Sequence, residues 1–126
     1  MKAYYSEGTH KTPSIKFDPV AGTLEIKGRS IPENPIEFYQ PLVDVLSEYT
    51  SSPLAACTVT IQLEYFNSSS SRCLFSIFKK LEINKKAGAN VIINWTYEEG
   101  DEELLEAGED FQSILQIPVV LVRLSK

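Results

Sequence analysis

The stretch from Thr58 to Arg72 constrains this chain more than any other. Thr58–Phe66 alternates cleanly, with Val59, Ile61, Leu63 and Tyr65 on one face and Thr58, Thr60, Gln62 and Glu64 on the other. A two-residue hydrophobic period marks a half-buried strand. Asn67 and four serines follow at once, and then Cys73, Leu74, Ile77, Phe78 and Leu81 recur at helical spacing. Lys79, Lys80, Lys85 and Lys86 lie on other faces or near the end, where the helix dipole favours cations, and Gly88 stands as a C-cap. This predicts an inner strand running straight into a helix from about Ser68 to Ala87, packed on one face of the sheet.

The rest of the chain extends that unit. Residues 1–12 are polar and aperiodic, which predicts a loosely ordered N-terminal lead ahead of a single domain at 13–126. Ile15 and Phe17, the turn residues Asp18–Gly22, and the alternation of Leu24 and Ile26 predict a hairpin of about 14–17 and 23–28. Asn34, Pro35 and Glu37 form a helix start with a capping box, and Phe38, Leu42, Val45, Leu46 and Tyr49 form its apolar stripe. Pro41 predicts a kink or break there, and Ser51-Ser52-Pro53 ends the helix. Asn90–Tyr97 reads as a second apolar strand. An acidic helix from near Asp101 buries Leu104, Leu105, Gly108 and Phe111, and Val119–Leu124 is the last strand. The order is β-β-α-β-α-β-α-β. Strand–helix–strand alternation implies right-handed crossovers and an α/β fold, its central sheet mainly parallel with the N-terminal hairpin at one side.

Several functions are set aside by what the chain lacks. Its 126 residues are 43% hydrophobic and 23% charged, with a net charge of −5. An acidic chain is a poor nucleic-acid binder. The longest apolar run, Ile114–Val122, is too short to insert into a membrane, and the first residues lack the apolar segment of a signal peptide, so a cytoplasmic protein is expected. Cys57 and Cys73 suit buried thiols rather than a disulfide framework or a metal site. His10 is the only histidine and lies in the lead, and no phosphate-binding or zinc-protease motif is present. Catalytic residues, cofactors and metals are therefore not expected, and the chain does not read as an enzyme. Eight acids and no base occupy residues 98–110, leaving a mildly basic remainder. That segment is either a solvated helix face or a docking surface for a basic partner.

The strand-to-helix junction is where chemistry fits. Asn67 or Ser68 must cap a helix whose first N–H groups have no internal partner. The serines serve as cap and polar turn, or one of them accepts a phosphate. A helix N-terminus tolerates that added charge. Arg72, one turn on from Ser68, is in reach of a phosphate there.

The order of elements, with a serine opening the helix after the central strand, resembles the STAS-type fold of anti-sigma-factor antagonists. Asn67-Ser68-Ser69-Ser70 stands here in place of an Asp-Ser-Ser-Gly type motif. The chain is more similar to the SiaC-like family of small bacterial phosphoproteins, through Gly28–Asn34, Leu63–Ser70 and Trp95–Tyr97 followed by the acidic helix. The resemblance runs from about Thr12 to Leu124. It implies a non-enzymatic signalling switch phosphorylated at Ser68, with Ser69 as runner-up and Asn67 and Arg72 in support. It further implies a Ser/Thr kinase of the anti-sigma type, a metal-dependent phosphatase, and an unphosphorylated form that activates a diguanylate cyclase in cyclic-di-GMP and biofilm regulation. The alternatives are an anti-sigma-factor antagonist or a plain protein-interaction module without phosphorylation.

Overall fold

Asp18 turns the chain back on itself. Its Oδ1 accepts the N–H groups of Val20 and Ala21 at 3.0 and 3.1 Å, which joins Ser14–Asp18 (β2) to Thr23–Ser30 (β3) as an antiparallel hairpin. Gly22 closes this turn at φ +71, where a Cβ would lie 2.7 Å from the Ala56 carbonyl oxygen, so both conformation and space require glycine. The computed structural model describes residues 2–49 and 55–125. Tyr4–Ser6 (β1) pairs antiparallel with β2. After β3 come Pro35–Ser47 (α1), Ala56–Phe66 (β4), Ser68–Lys86 (α2), Asn90–Glu98 (β5), Glu102–Ile114 (α3) and Val119–Leu124 (β6). The six strands lie in sequential order, antiparallel from β1 to β3 and parallel from β3 to β6. The fold is the expected α/β type, with the hairpin at one side and β4 as an inner strand.

One face of the sheet forms the core. Ile15, Phe17, Leu24, Ile26, Val59, Ile61, Ile93 and Trp95 are fully buried in a single cluster with the helix residues Leu42, Leu46, Leu74, Ile77 and Phe78. The intervening residues Lys16, Lys27, Thr58 and Gln62 are exposed. The three helices therefore share one face and the other is open. Because the parallel strands all end on the same side, the start of α2 meets the last residue of β3 and the start of α1. Among the described residues, no helix is long and apolar enough to cross a membrane.

Several expectations are corrected. Residues 4–6, placed in the loose lead, form β1, so the order is β-β-β-α-β-α-β-α-β. The lead gains this order from pairing with β2, a contact that no local pattern announces. α1 is continuous through Pro41, which is exposed, so its ring points away from the packed face. Tyr39 rather than Phe38 is the buried aromatic of that helix, and α1 ends at Ser47. Its expected stop at Ser51-Ser52-Pro53 lies outside the described residues. Tyr65 is 48% exposed although Leu63 is buried. The β3–β4 register shifts at Gly28/Arg29, so Leu63 faces Gly28 while Tyr65 faces Arg29, and Glu64 is left as an extra residue. Leu105 is only half-buried, and α3 rests on Leu104, Gly108 and Phe111.

Candidate functional site

The junction between β4 and α2 is built on a cap. Asn67 has extended φ/ψ, and its side-chain oxygen accepts the Ser70 N–H at 2.8 Å, while its carbonyl accepts the Ser71 N–H at 3.0 Å. This is the favoured N-cap geometry for asparagine. The Asn67 N–H in turn donates to the Ser30 carbonyl at 3.3 Å, which ties the cap to the end of β3. The sequence left the cap open between Asn67 and Ser68, and the geometry assigns it to Asn67.

The four serines then part company. Ser68 is the first helical residue and is exposed, as is Ser69; Ser70 is fully buried, and Ser71 is half-buried. Ser70 donates its hydroxyl hydrogen to the Ser30 carbonyl at 2.9 Å and accepts from the Ser30 hydroxyl at 2.8 Å. The Ser30 hydroxyl lies 2.6 Å from the Tyr39 hydroxyl. Burial pushes the Tyr39 phenol up to about 12. Ser70 is thus committed to structure.

Ser68 and Arg72 line one cleft of about 450 Å³ with Tyr65, Glu64, Asp101 and Glu103. Among the described residues, no carboxylate lies within ion-pairing distance of Arg72. Ser69 instead lines a separate cleft toward the start of α1, with Asn34, Ile36 and Cys73. Arg72 borders both clefts. The sequence-predicted residues Asn67, Ser68 and Arg72 are therefore brought together, and Ser69 looks the other way.

The acidic segment reaches this site. Asp101 caps α3 by accepting the Leu104 N–H at 3.1 Å, and Glu103 stands in the same first turn. The acids at 98–110 and the serines are about 30 residues apart in the sequence. What joins them is the parallel order, which sets the ends of β4 and β5 side by side. Ser30 and Tyr39 were also missed as site residues. Ser30 lies within the Gly28–Asn34 segment, and the parallel β3–β4 pairing, which sets Ser30 opposite Phe66, is the signal that its end meets Asn67.

No thiol here is activated. Burial pushes Cys57 up to about 11 and raises Cys73 as well, so both remain protonated near neutral pH. Among the described residues, no group of three or more His, Cys, Asp or Glu side chains is placed to hold a metal ion. The arrangement offers an exposed hydroxyl on a capped helix end, one free cation beside it, and an acidic rim.

Known proteins share this architecture. An uncharacterized protein of Pseudomonas aeruginosa (strain UCBPP-PA14) is 28% identical over 121 residues, which cover 96% of each chain. The solved structure of SiaC of Pseudomonas aeruginosa superposes with a TM-score of 0.87 at 27% identity, covering 98% of this chain and all of that one. SiaC was also solved in complex with the diguanylate cyclase SiaD, of which it is the activator; that SiaC chain matches at a TM-score of 0.88 and 27% identity over 96% of this chain and 99% of its own. A family model described as SiaC family regulatory phosphoprotein spans residues 6–124 and so takes in every strand and helix around the Asn67 cap. With nearly the whole fold and the junction inside that match, this chain belongs to the SiaC family of regulatory phosphoproteins.

Proposed function

We propose that the chain is a reversible signalling switch. Unmodified, it binds and activates a diguanylate cyclase, raising cyclic-di-GMP and favouring biofilm. A Ser/Thr kinase of the ATP-binding anti-sigma type places a phosphate on Ser68, and a metal-dependent phosphatase removes it. The protein itself catalyses nothing in this scheme and works in the cytoplasm beside its nucleotide-using partners. The reading is supported by the exposed first helical position of Ser68 in a cleft with Arg72, in a family whose SiaC was solved bound to a diguanylate cyclase.

The switch acts by blocking an interface rather than by refolding the domain. A phosphate at an exposed helix N-terminus is favoured by roughly 0.3–1 kcal/mol through the dipole and free N–H groups. It enters a cleft whose rim carries Glu64, Asp101 and Glu103 against the single cation Arg72. Covering that charge with a partner removes its water, and an uncompensated buried charge costs several kcal/mol. The interfacial loss exceeds the local gain, so phosphorylation leaves the domain folded and drives the partner off.

Intact mass of protein isolated from its own cells, with and without phosphatase treatment, tests this. A phosphate that maps to Ser68 and disappears in Ser68→Ala is expected. An unmodified protein, or phosphate on Ser51 or Ser113, contradicts the proposal.

A further inference from the structure

We infer that Tyr39, Ser30 and Ser70 are positioning residues that select which serine of the tetrad accepts phosphate; this rests on the Ser68 reading above. Each hydroxyl has one hydrogen to give. Ser70 gives its hydrogen to the Ser30 carbonyl, so toward the Ser30 hydroxyl it can only accept. Ser30 spends its hydrogen on Ser70, so Tyr39 must donate to Ser30. The direction of the chain is thereby fixed from α1, through the end of β3, to the first turn of α2. Its members are buried, and among the described residues no buried side-chain polar atom lacks a partner.

The consequence is rotational. Residues of an α-helix are about 100° apart around its axis. With Ser70 held inward, Ser68 points about 160° away from it, the most outward direction in the tetrad, while Ser69 and Ser71 point sideways at about 100°. Arg72 falls about 40° from Ser68 and shares its cleft. A turned or frayed first helical turn would expose a different serine. The buried stripe Cys73, Leu74, Ile77 and Phe78 sets the phase of the helix body, the Asn67 cap starts its backbone, and the side-chain lock on Ser70 holds the first turn to that phase.

Tyr39→Phe keeps the aromatic packing and the bond from Ser70 to the Ser30 carbonyl but frees the Ser30 hydroxyl to turn away from Ser70, which loosens the lock, and Val45→Ala serves as a control that loosens α1 without touching the hydroxyl chain. Phosphate is mapped by mass spectrometry in the wild type and both variants recovered from the source cells. Backbone amide exchange is followed in the purified, unmodified proteins. Removing one such hydrogen bond shifts an equilibrium by roughly two- to tenfold. In Tyr39→Phe the Ser70 and Ser71 amides are expected to exchange faster by that factor, and part of the phosphate to move from Ser68 to Ser69 and Ser71. Val45→Ala is expected to keep phosphate on Ser68. An unchanged phosphate distribution in Tyr39→Phe, unchanged exchange, or the same redistribution in Val45→Ala overturns the inference while leaving the Ser68 reading intact. Wild-type phosphate away from Ser68 overturns both.

Discussion

Replacing Asn67 by alanine removes the hydrogen bond that starts α2. The Asn67 side chain accepts the Ser70 N–H at 2.8 Å; Ser70 is buried at 0% exposure and Asn67 is half-buried, so water replaces the lost acceptor only in part. Loss of an N-cap side chain costs about 0.5–2 kcal/mol. Leaving a buried donor unpaired costs about 1–3 kcal/mol. These describe the same event, so they overlap rather than add, and about 2 kcal/mol is expected. Both backbone bonds of residue 67, its N–H to Ser30 and its carbonyl from Ser71, survive in the variant. Two-state urea unfolding at pH 7 reads the difference directly, and Tm should fall by roughly 6–10 °C for a chain of this size. Asn67→Asp retains an acceptor in the same place and is expected within about 0.5 kcal/mol of wild type. A loss below about 0.5 kcal/mol in Asn67→Ala, or equal losses in the two variants, refutes the assignment of the cap to this side chain.

Other expectations follow from sites around the fold. Glu82 is 5% exposed and accepts the Gln116 N–H and a 2.9 Å bond from Lys79. Burial opposes its charge, but these partners and Lys86 outweigh that and hold the carboxyl below the usual range. A lowered folded-state pKa stabilises above the unfolded value of about 4.3 and is lost as pH falls through the folded value. The gap in unfolding free energy between wild type and Glu82→Gln should therefore be constant near neutrality and shrink below about pH 4. Gly108→Ala places a Cβ 2.6 Å from Trp95 Cδ1 and Leu121 Cδ2. It should destabilise by about 1–3 kcal/mol and shift the fluorescence of the single tryptophan, whose Nε1 donates to the Leu104 carbonyl at 2.8 Å. Exposed Arg72→Ala should stay within about 0.5 kcal/mol of wild type when unmodified, yet amide exchange in the first turn of phosphorylated α2 should quicken.

The strand, cap and helix from Thr58 to Lys86 were legible because each signal is local: alternation, an asparagine at the junction, and apolar residues at helical spacing. The α3 start at Asp101 and the final strand Val119–Leu124 were readable for the same reason. What escaped depends on partners distant in sequence. Tyr4–Ser6 becomes a strand only beside β2. Phe38 and Tyr39 fit the α1 stripe about equally, and Tyr39 is buried where its hydroxyl meets Ser30. Tyr65 keeps strand periodicity but leaves the core after the register shift at Gly28/Arg29. Four consecutive serines look alike in the sequence. Hydrogen bonds to Ser30 separate Ser70 from Ser68, and the sheet order brings Asp101 and Glu103 to the cleft.

In the proposed switch, a phosphate on Ser68 breaks partner binding without unfolding the domain. Titration of a purified diguanylate cyclase with unmodified and Ser68-phosphorylated protein, each checked for its melting temperature, measures both halves of that claim. Nearly equal melting temperatures are expected, with at least about tenfold weaker binding for the phosphorylated form, corresponding to about 1.4 kcal/mol, and a matching loss of cyclase activation. Equal binding by the two forms, or a phosphorylated form that has unfolded, contradicts that switch.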